Sequence, residues 1–284
     1  MTRLDAALVT RGLARSRGHA RDLIDEGVVR VNDRVANRPS RPVTDRDVIT
    51  IAVTAGSTVL DPSWVSRAAG KLLGALADLP EGGPAISGRR AADIGACTGG
   101  FTQVLLSRGA AEVLAVDVGH GQLAPLLASD PRVRDLSGHN VRDLTPDDVD
   151  GPVDLLVADL SFISLRLVMG RLVDLVRPGG NLLLLIKPQF EVGRRGLDGR
   201  GVVRPGRWRS DAVLAVVQSA HEEGIGLRAI VTSRTPGQEG NTEYVAWFTR
   251  PDATQALPTW QAVMGTLGQL DEEGARRPEG GNRA

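Results

Sequence analysis

The sequence predicts an α/β protein, with a doubly wound, mainly parallel sheet preceded by a small α+β module. Two observations predict the sheet. Between residues 67 and 250, short apolar runs alternate with helical patterns, which is typical of parallel strands with helices on both faces. In addition, a glycine-rich turn follows the first apolar run and opens a helix, as at the ligand-binding edge of such sheets.

The alternation predicts the bounds of the individual strands and helices between residues 67 and 250. Each strand-like run is short and rich in aliphatic residues, and each helical pattern repeats its apolar residues at helical spacing. The strands are predicted at residues 90–94, 113–117, 153–158, 182–186, 227–232 and 244–248. The helices are predicted near residues 101–108, 121–128, 164–176 and 210–223.

Residues 1–60 predict a separate module of two helices and short strands. Ser16 is a candidate N-cap for a helix over 17–26, and Gly27 would end that helix. Short strands are predicted at 28–31 and 34–35, joined by a turn at Asn32-Asp33, and another strand at 48–51. We expect a linker at 61–66, the larger domain at 67–250, and a disordered tail at 251–284, where the pattern weakens.

Composition limits the class of protein. The 284 residues carry 34 basic and 34 acidic side chains and one cysteine, Cys97. One cysteine excludes an internal disulfide framework and a zinc site built from cysteines. The longest aliphatic run, 182–186, is far shorter than the roughly 20 residues of a membrane helix, and the first residues are polar. We expect a cytoplasmic protein.

The N-terminal module is basic although the whole chain is neutral, with ten arginines against seven acids in residues 1–60. A solvated charged face is the usual meaning of such mixed charge. Arginines clustered at the start of a helix also suit phosphate, because their forked donors match phosphate oxygens. The candidate contacts are Arg3, Arg11, Arg15, Arg17 and Arg21.

The glycine-rich turn is the strongest local signal. It reads Asp-Ile-Gly-Ala-Cys-Thr-Gly-Gly-Phe over residues 93–101, and the next strand ends at Asp117, where an acid typically accepts from ribose hydroxyls. The pattern alone does not separate NAD from S-adenosylmethionine. The turn lacks the Gly-x-Gly-x-x-Gly spacing, and Asp93 would repel a pyrophosphate, so we favour S-adenosylmethionine.

The candidate cofactor residues follow from this turn and from the strand ends. Asp143 could accept from an adenine amino group, although a simple turn residue is the alternative. The full set is Asp93, Gly95, Cys97, Thr98, Gly99, Gly100, Phe101, Asp117, Asp143 and Asp159.

Lysine usage points to a second group of residues. Only two of the 34 basic residues are lysines, and the other 32 are arginines. Lys187 and Asp159 each follow a strand-like run, and both therefore face the crevice at the carboxyl edge of the sheet. Lys71 and Glu243 could complete a cluster in which opposite charges shift one another's pKa values. Structural salt bridges at strand ends, or chance surface lysines, are the alternatives.

These residues resemble a known family. Lys71, Asp159, Lys187 and Glu243 follow the order of the Lys-Asp-Lys-Glu tetrad of the FtsJ-like RNA ribose 2′-O-methyltransferases. Six motifs over the chain to residue 250 resemble the TlyA family, whose members are called haemolysins or rRNA cytidine 2′-O-methyltransferases. The motifs lie at residues 93–102, 115–119, 158–164, 187–191, 201–204 and 240–244.

The resemblance implies a Rossmann-like methyltransferase sheet that binds S-adenosylmethionine and methylates cytidine 2′-hydroxyls in ribosomal RNA. Lys187 would contact or deprotonate the hydroxyl, and no metal or membrane would take part. The N-terminal module is similar to αL-type RNA-binding domains, through Arg3-Leu-Asp-x-x-Leu, Ser16-Arg17 and Gly27-x-Val-x-Val-Asn. Ribosomal RNA or a ribosomal subunit is the implied partner of its arginines.

Two residues depart from the family pattern. Cys97 stands where a serine is expected, a change between small residues with little expected effect. Pro62 replaces an arginine in an interdomain Arg-x-Trp-Val motif, which leaves any role of that arginine in doubt.

Three other functions stay open from the sequence. A membrane-active haemolysin would need an apolar span or a strongly amphipathic helix, and neither is evident. A ribosome-assembly factor could retain a methyltransferase fold without catalysis. A small-molecule methyltransferase would leave the arginine-rich module unexplained.

Overall fold

The computed structural model describes residues 1–14, 17–25, 27–51, 63–254, 256–257 and 262–265. The predicted cap Ser16, the candidate contact Arg15 and the linker residue Pro62 lie outside the described residues, as does most of the predicted tail.

The N-terminal module has two helices packed on short strands. The helices pack on each other through Leu4, Leu8, Leu23 and Ile24, which are all at most 1% exposed, and Val29 joins the same small core. The strands are β1 (Thr2–Arg3), β2 (Val29–Val31), β3 (Arg34–Val35), β4 (Pro42–Val43) and β5 (Ile49–Ile51). The helices are α1 (Leu4–Thr10) and α2 (Arg17–Asp25).

Seven strands form the sheet of the larger domain, in the order β11-β12-β10-β9-β6-β7-β8. The five strands from β10 to β8 are parallel, and β12 runs antiparallel between β10 and β11. The strands are β6 (Arg90–Ile94), β7 (Glu112–Asp117), β8 (Val133–Ser137), β9 (Val153–Ala158), β10 (Val176–Ile186), β11 (Gly226–Thr232) and β12 (Tyr244–Thr249).

Helices cover both faces of this sheet. Successive residues of β9 point to opposite sides, because side chains alternate along a strand. Leu155 packs in the layer that holds Leu72 and Leu105, whereas Leu156 packs in the layer that holds Leu172 and Val216. The helices are α3 (Ala68–Asp78), α4 (Gly100–Ser107), α5 (Pro125–Ala128), α6 (Met169–Asp174), α7 (Pro188–Glu191) and α8 (Trp208–Glu222). The doubly wound sheet predicted from the alternation is therefore confirmed.

Two predicted helices differ in extent. The pattern over 121–128 gives only α5, because Pro125 begins the helix and the preceding residues form a loop. The pattern over 164–176 is divided into the 3₁₀ turn Leu165–Leu167 and α6, and β10 already begins at Val176. The beginning of β10 cannot be recognised from apolar residues, because it contains Pro178 and two glycines.

The chain reverses its direction of winding between β6 and β9, which are adjacent in the sheet. Ligands bind at such a point, outside the carboxyl ends of the strands. Gly95 follows β6 with a φ of +85°, and a Cβ there would lie 2.7 Å from the carbonyl oxygen of Asp159, which follows β9. The close approach of these two strand ends therefore requires glycine.

Among the residues that the structure describes, no helix is both long enough and apolar enough to cross a membrane.

Candidate active site

Four charged side chains converge at the carboxyl edge of the sheet. Asp159 and Lys187 each come directly after a parallel strand, β9 and β10. Glu243 directly precedes β12, and the pairing of Ile186 with Tyr244 sets Glu243 opposite Lys187. Lys71 enters from the first turns of α3, on one face of the sheet. The structure thus brings together four residues that lie far apart in the chain.

The four groups form a chain of ion pairs. Lys187 Nζ lies 2.6 Å from Asp159 Oδ1, and Lys71 Nζ lies 3.8 Å from Asp159 Oδ2. Lys71 Nζ also donates to Glu243 Oε2 at 2.8 Å. Lys71, Lys187 and Glu243 are all less than 9% exposed. Two positive and two negative charges therefore balance in a largely dehydrated cluster, where opposite charges interact strongly.

The charge state of the cluster follows from these pairs. Burial alone would lower the pKa of Lys71, but Asp159 and Glu243 outweigh it and raise that pKa above its ordinary value. Burial would raise the pKa of Asp159, but Lys71 and Lys187 outweigh it and hold that pKa below its usual range. Lys71 is thus fixed as an ammonium and Asp159 as a carboxylate.

Two further side chains belong to this cluster, and the sequence analysis missed both. Ser161 accepts a hydrogen bond from Lys187 Nζ at 2.8 Å. Gln189 Nε2 donates to Glu243 Oε1 at 2.9 Å, and Gln189 Oε1 is buried without a hydrogen-bond partner in the described structure. Both lie inside motifs already singled out, two residues after Asp159 and Lys187, so proximity to the strand ends was the available signal.

The loop after Asp159 is held in place by the carboxylate of Glu191. Glu191 is 8% exposed and accepts from the Leu165 amide at 2.8 Å and from Ser164 Oγ at 2.5 Å. The same loop carries Phe162, which is 86% exposed, has a φ of +64° and packs against Phe190. A buried carboxylate thus fixes a loop whose aromatic tip faces solvent.

The glycine-rich turn is organised by two aspartates. Asp93 is fully buried, and its Oδ2 accepts from the Thr102 amide at 2.8 Å and the Thr102 hydroxyl at 2.7 Å. Asp117 accepts from the Cys97 amide at 2.9 Å and the Gly119 amide at 2.7 Å, which ties the turn to the end of β7. These contacts place the backbone of the turn beside the neighbouring strand ends.

Asp93 has an unusual environment. Burial raises the pKa of its carboxyl to about 7, against the opposing effect of the Thr102 hydrogen bonds, and its Oδ1 has no partner in the described structure. A buried acceptor without a partner is costly unless a ligand or water completes it. A cationic ligand in the pocket would both complete Asp93 and favour its ionised form.

A single pocket joins the turn to the charged cluster. It is lined by Asp93, Gly95, Ala96, Cys97, Thr98 and Phe101 from the turn, and by Lys71, Asp159, Ser161, Lys187, Gln189, Phe190 and Glu243. Gly99, Gly100, Asp117 and Asp143 do not line it. Gly99 and Gly100 instead permit close packing, since a Cβ would lie 2.3 Å from Leu127 at Gly99 and 2.4 Å from Ser66 at Gly100.

Asp143 lies apart from the charged cluster. It is exposed, and its amide closes a turn onto the Asn140 carbonyl at 3.0 Å. The turn interpretation therefore accounts for what is observed, and an adenine contact stays a prediction.

In the N-terminal module, three of the candidate arginines share one carboxylate. Asp5 is fully buried and lies 3.1 Å from Arg3 Nε, 3.2 Å from Arg17 Nη2 and 3.6 Å from Arg21 Nε. The three guanidinium groups keep about half of their side-chain surface exposed. Asp5 thus gathers them into one cationic patch that remains accessible. Arg11 lies apart, bonded to the Asp47 and Thr44 carbonyls.

The sheet order, the glycine-rich turn and the lysine–acid cluster together define a methyltransferase. Comparison with known proteins agrees. A family described as FtsJ-like methyltransferase matches residues 64–250, and a family described as S4 domain matches residues 2–49. The chain belongs to the TlyA family of FtsJ-like methyltransferases and carries an N-terminal S4 domain.

Individual relatives cover almost the whole chain. The chain is 47% identical over 255 residues to the Mycobacterium tuberculosis protein named 16S/23S rRNA (cytidine-2′-O)-methyltransferase TlyA, which spans 90% of this chain and 92% of that protein. It is 32% identical over 247 residues to Hemolysin A of Brachyspira hyodysenteriae, spanning 87% and 99%. A solved structure, described as a hemolysin from Streptococcus thermophilus, superposes with a TM-score of 0.70 at 30% identity and covers 96% of this chain and 97% of that one.

Proposed function

We propose that this protein transfers a methyl group from S-adenosylmethionine to the 2′-hydroxyl of cytidine in ribosomal RNA. The observation that carries the proposal is the convergence of Lys71, Asp159, Lys187 and Glu243 on one pocket beside the glycine-rich turn. The relationship to a named rRNA (cytidine-2′-O)-methyltransferase supports the choice of substrate.

The pocket fits S-adenosylmethionine on three counts. Asp93 offers a buried acceptor without a partner to a positively charged ligand. Gly95 has no side chain, so the glycine-rich turn can lie against the Asp159 backbone, and the turn and the charged cluster line one pocket. The charged cluster is balanced in itself, so it does not repel a cation. When bound, S-adenosylmethionine supplies an electrophilic methyl group on a sulfonium centre. Asp93, Gly95 and Thr98 are the residues that would hold it.

The lysines have different roles in this proposal. Lys71 stays charged, because its pKa is raised, and it fixes Asp159 and Glu243. Lys187 would first release its own ammonium proton to solvent and would then accept the proton of the 2′-hydroxyl. The hydroxyl oxygen would bond to the methyl carbon as the bond from that carbon to sulfur breaks. Asp159 and Ser161 hold the Lys187 amine in position. Proton transfer to a positioned base typically contributes 10²–10⁴-fold to a rate.

The S4 domain supplies the RNA contacts. Arg3, Arg17 and Arg21 form the exposed cationic patch around Asp5, and phosphate contacts of this kind give salt-dependent affinity without sequence specificity. We propose that these residues position rRNA so that one ribose reaches Lys187. Because ribosomes are the substrate, the site of action is the cytoplasm.

The test is to map ribose methylation in rRNA from cells with and without this gene, and to repeat the reaction with purified protein, S-adenosylmethionine and rRNA. Loss of methylation at defined cytidines without the gene, restored by purified protein, is the expected result. Unchanged methylation would reject the proposal. A cellular phenotype rescued equally well by Asp159→Ala would favour a non-catalytic assembly factor, and leakage of liposomes by pure protein would favour the haemolysin alternative.

A further inference from the structure

A second arginine-rich segment lies in the methyltransferase domain, at residues 193–209. It carries six basic side chains and one acid, Asp198, in a chain whose total charge is zero. It connects α7, which begins directly after Lys187, to α8. The basic residues are Arg194, Arg195, Arg200, Arg204, Arg207 and Arg209. The family resemblance includes only residues 201–204 of this segment, and the proposed function gives none of its arginines a role.

The arginines of the 193–209 segment face solvent. All six are exposed, and the side chains of Arg200 and Arg207 are 74% and 88% exposed. Arg200 and Arg207 have only loose, exposed pairs with Asp198 and Asp211, at 3.6 and 3.3 Å, which are worth little in water. In the part of the chain that the structure describes, no ion pair or hydrogen bond engages the side chains of Arg194 and Arg195. Their charge is therefore available to a partner.

The backbone of the segment, in contrast, is fixed. The Val203 amide donates to Asn241 Oδ1 at 3.0 Å, and Asn241 Nδ2 donates to the Gly201 carbonyl at 3.1 Å. Leu197 and Val203 form an antiparallel bridge that closes the segment on itself. A fixed backbone presents its charges at defined places, as a specific contact surface requires.

These attachments tie the segment to the catalytic cluster. Asn241 is 4% exposed and lies two residues before Glu243. Arg209 Nη1 donates to the hydroxyl of Thr242, the residue directly before Glu243, at 3.0 Å. At its other end, the segment begins six residues after Lys187. The exposed arginines are therefore anchored to both strand ends that carry cluster residues from β10 and β12.

We propose that the 193–209 segment is a second RNA-contact surface, which binds phosphates that flank the target nucleotide. A ribose within a polynucleotide carries a phosphate on each side, so any ribose that reaches Lys187 brings negative charge within one nucleotide of the site. Arginine forks match phosphate oxygens. This argument favours RNA over an acidic protein as the partner. The inference rests on the proposed function and extends it, because the S4 domain then supplies only part of the contacts with RNA.

The experiment replaces Arg194 and Arg195 together by glutamine in the full-length chain. The matched control is Arg108→Gln with Arg171→Gln, which also removes two exposed arginines of the same domain, at the end of α4 and in α6, outside the segment. Binding of protein-free rRNA is measured from 0.1 to 1 M salt. Methylation kinetics and S-adenosylmethionine affinity are measured for wild type and both variants.

The expected result follows from counterion release. Each lost phosphate contact reduces the slope of log affinity against log salt by about 0.7, so the double variant has a slope shallower by about 1.4. Affinity at 0.1 M salt then falls about 25-fold, if the contacts contribute nothing at 1 M. KM for rRNA rises accordingly, whereas the saturated rate, S-adenosylmethionine affinity and the control variant stay unchanged.

An unchanged salt slope in the Arg194/Arg195 variant overturns the inference while leaving the proposed function intact, provided that wild type methylates rRNA. An equal loss in the control variant also overturns it, because the effect would then come from total charge. Normal binding of protein-free rRNA with weakened binding of intact subunits would assign the surface to a ribosomal protein instead. Absence of methylation by wild type would reject the proposed function itself.

Discussion

Lys187 Nζ lies 2.6 Å from Asp159 Oδ1, and the same carboxylate reaches the second lysine through its other oxygen. One carboxylate, only 14% exposed, thus holds both ammonium groups of a chain that has only two lysines. Since Asp159 follows β9 and Lys187 follows β10, the parallel pairing of these strands sets the distance between them. The reactive geometry is therefore a property of the sheet, which is more rigid than a site built on loops alone.

This arrangement predicts the outcome of two substitutions at Lys187, of which one keeps its positive charge and the other does not. Lys187→Arg keeps the positive charge beside Asp159, but a guanidinium does not release its proton in proteins. Lys187→Met removes both the charge and the base. If Lys187 acts as the base, both variants lose at least about 10²-fold in the rate of methyl transfer. The measurement is single-turnover methylation of rRNA with saturating S-adenosylmethionine.

Calorimetric titration with S-adenosylmethionine serves as the control for folding, and both variants should bind it. A Lys187→Arg enzyme that methylates at close to the wild-type rate would show that the positive charge suffices, and the base would have to be sought elsewhere.

A substitution at Gln189 tests how much the position of Glu243 contributes to catalysis. Its amide donates to Glu243 Oε1, while Lys71 holds the other oxygen. Gln189→Met keeps the volume and removes the donor, and a lost hydrogen bond to a charged group costs about 1.5–3 kcal/mol. We expect the rate of methyl transfer to fall roughly 10- to 100-fold, with RNA and cofactor affinities nearly unchanged. A fall in S-adenosylmethionine affinity of the same size would show instead that Gln189 contacts the cofactor.

The raised pKa of Asp93 predicts a pH-dependent cofactor affinity. Burial raises that pKa to about 7, so Asp93 is mostly protonated at pH 6 and mostly ionised at pH 8. A cationic ligand binds better to the ionised form, so affinity for S-adenosylmethionine should rise about tenfold from pH 6 to pH 8. The measurement is a titration of binding against pH. In Asp93→Asn the rise should disappear, and a persistent rise would assign the titration to another group.

Asp5 gives a stability prediction for the S4 domain. Hydrogen bonding from Arg3 and the charge of Arg17 lower its pKa to about 2, against the effect of burial. A carboxyl with a lowered pKa in the folded state stabilises that state above its ordinary pKa, near 4, and loses this effect as the pH falls towards 2. Asp5→Asn should therefore cost about 1–2 kcal/mol at pH 7 and little at pH 2.

The measurement is hydrogen exchange of the α1 amides, expressed as protection factors for wild type and Asp5→Asn at several pH values. The same amides in an Asp45→Asn variant are the control, because that residue is exposed. Equal protection in wild type and Asp5→Asn at pH 7 would show that the ion pairs between Asp5 and the three arginines do not stabilise the domain.

The sequence was sufficient for the sheet and for placing Asp159 and Lys187 at one edge of it, because both depend on where strands end. Lys187 and Asp159 each directly follow an apolar run, and parallel strands bring their carboxyl ends to one edge. Lys71 and Glu243 came from their order in a known motif. The pairing of Ile186 with Tyr244, which sets Glu243 opposite Lys187, depends on an antiparallel strand that alternation alone does not reveal.

The partners of these residues could not be derived in the same way. That Ser161 accepts from Lys187 and Gln189 donates to Glu243 depends on the path of two loops, which follows from packing and not from periodicity. Asp93 shows the same limit. The sequence placed it at a ligand, whereas the structure adds its two hydrogen bonds to Thr102, nine residues away on the next helix.

Gly95 provides the sharpest test of the strand-end geometry, because the chain offers a matched control. Gly95 and Gly224 both have positive φ, +85° and +78°, but a Cβ at Gly95 would lie 2.7 Å from the Asp159 carbonyl oxygen, whereas at Gly224 nothing lies within 4 Å. Alanine at either position carries left-handed strain of about 1–2 kcal/mol. Only Gly95→Ala should also push β6 away from Asp159, and so lower both S-adenosylmethionine affinity and methylation. Thermal unfolding measures the shared strain, and calorimetry and methylation measure the difference. Equal loss of function in the two variants would show that strain alone is responsible and that the contact between the two strand ends does not govern the site.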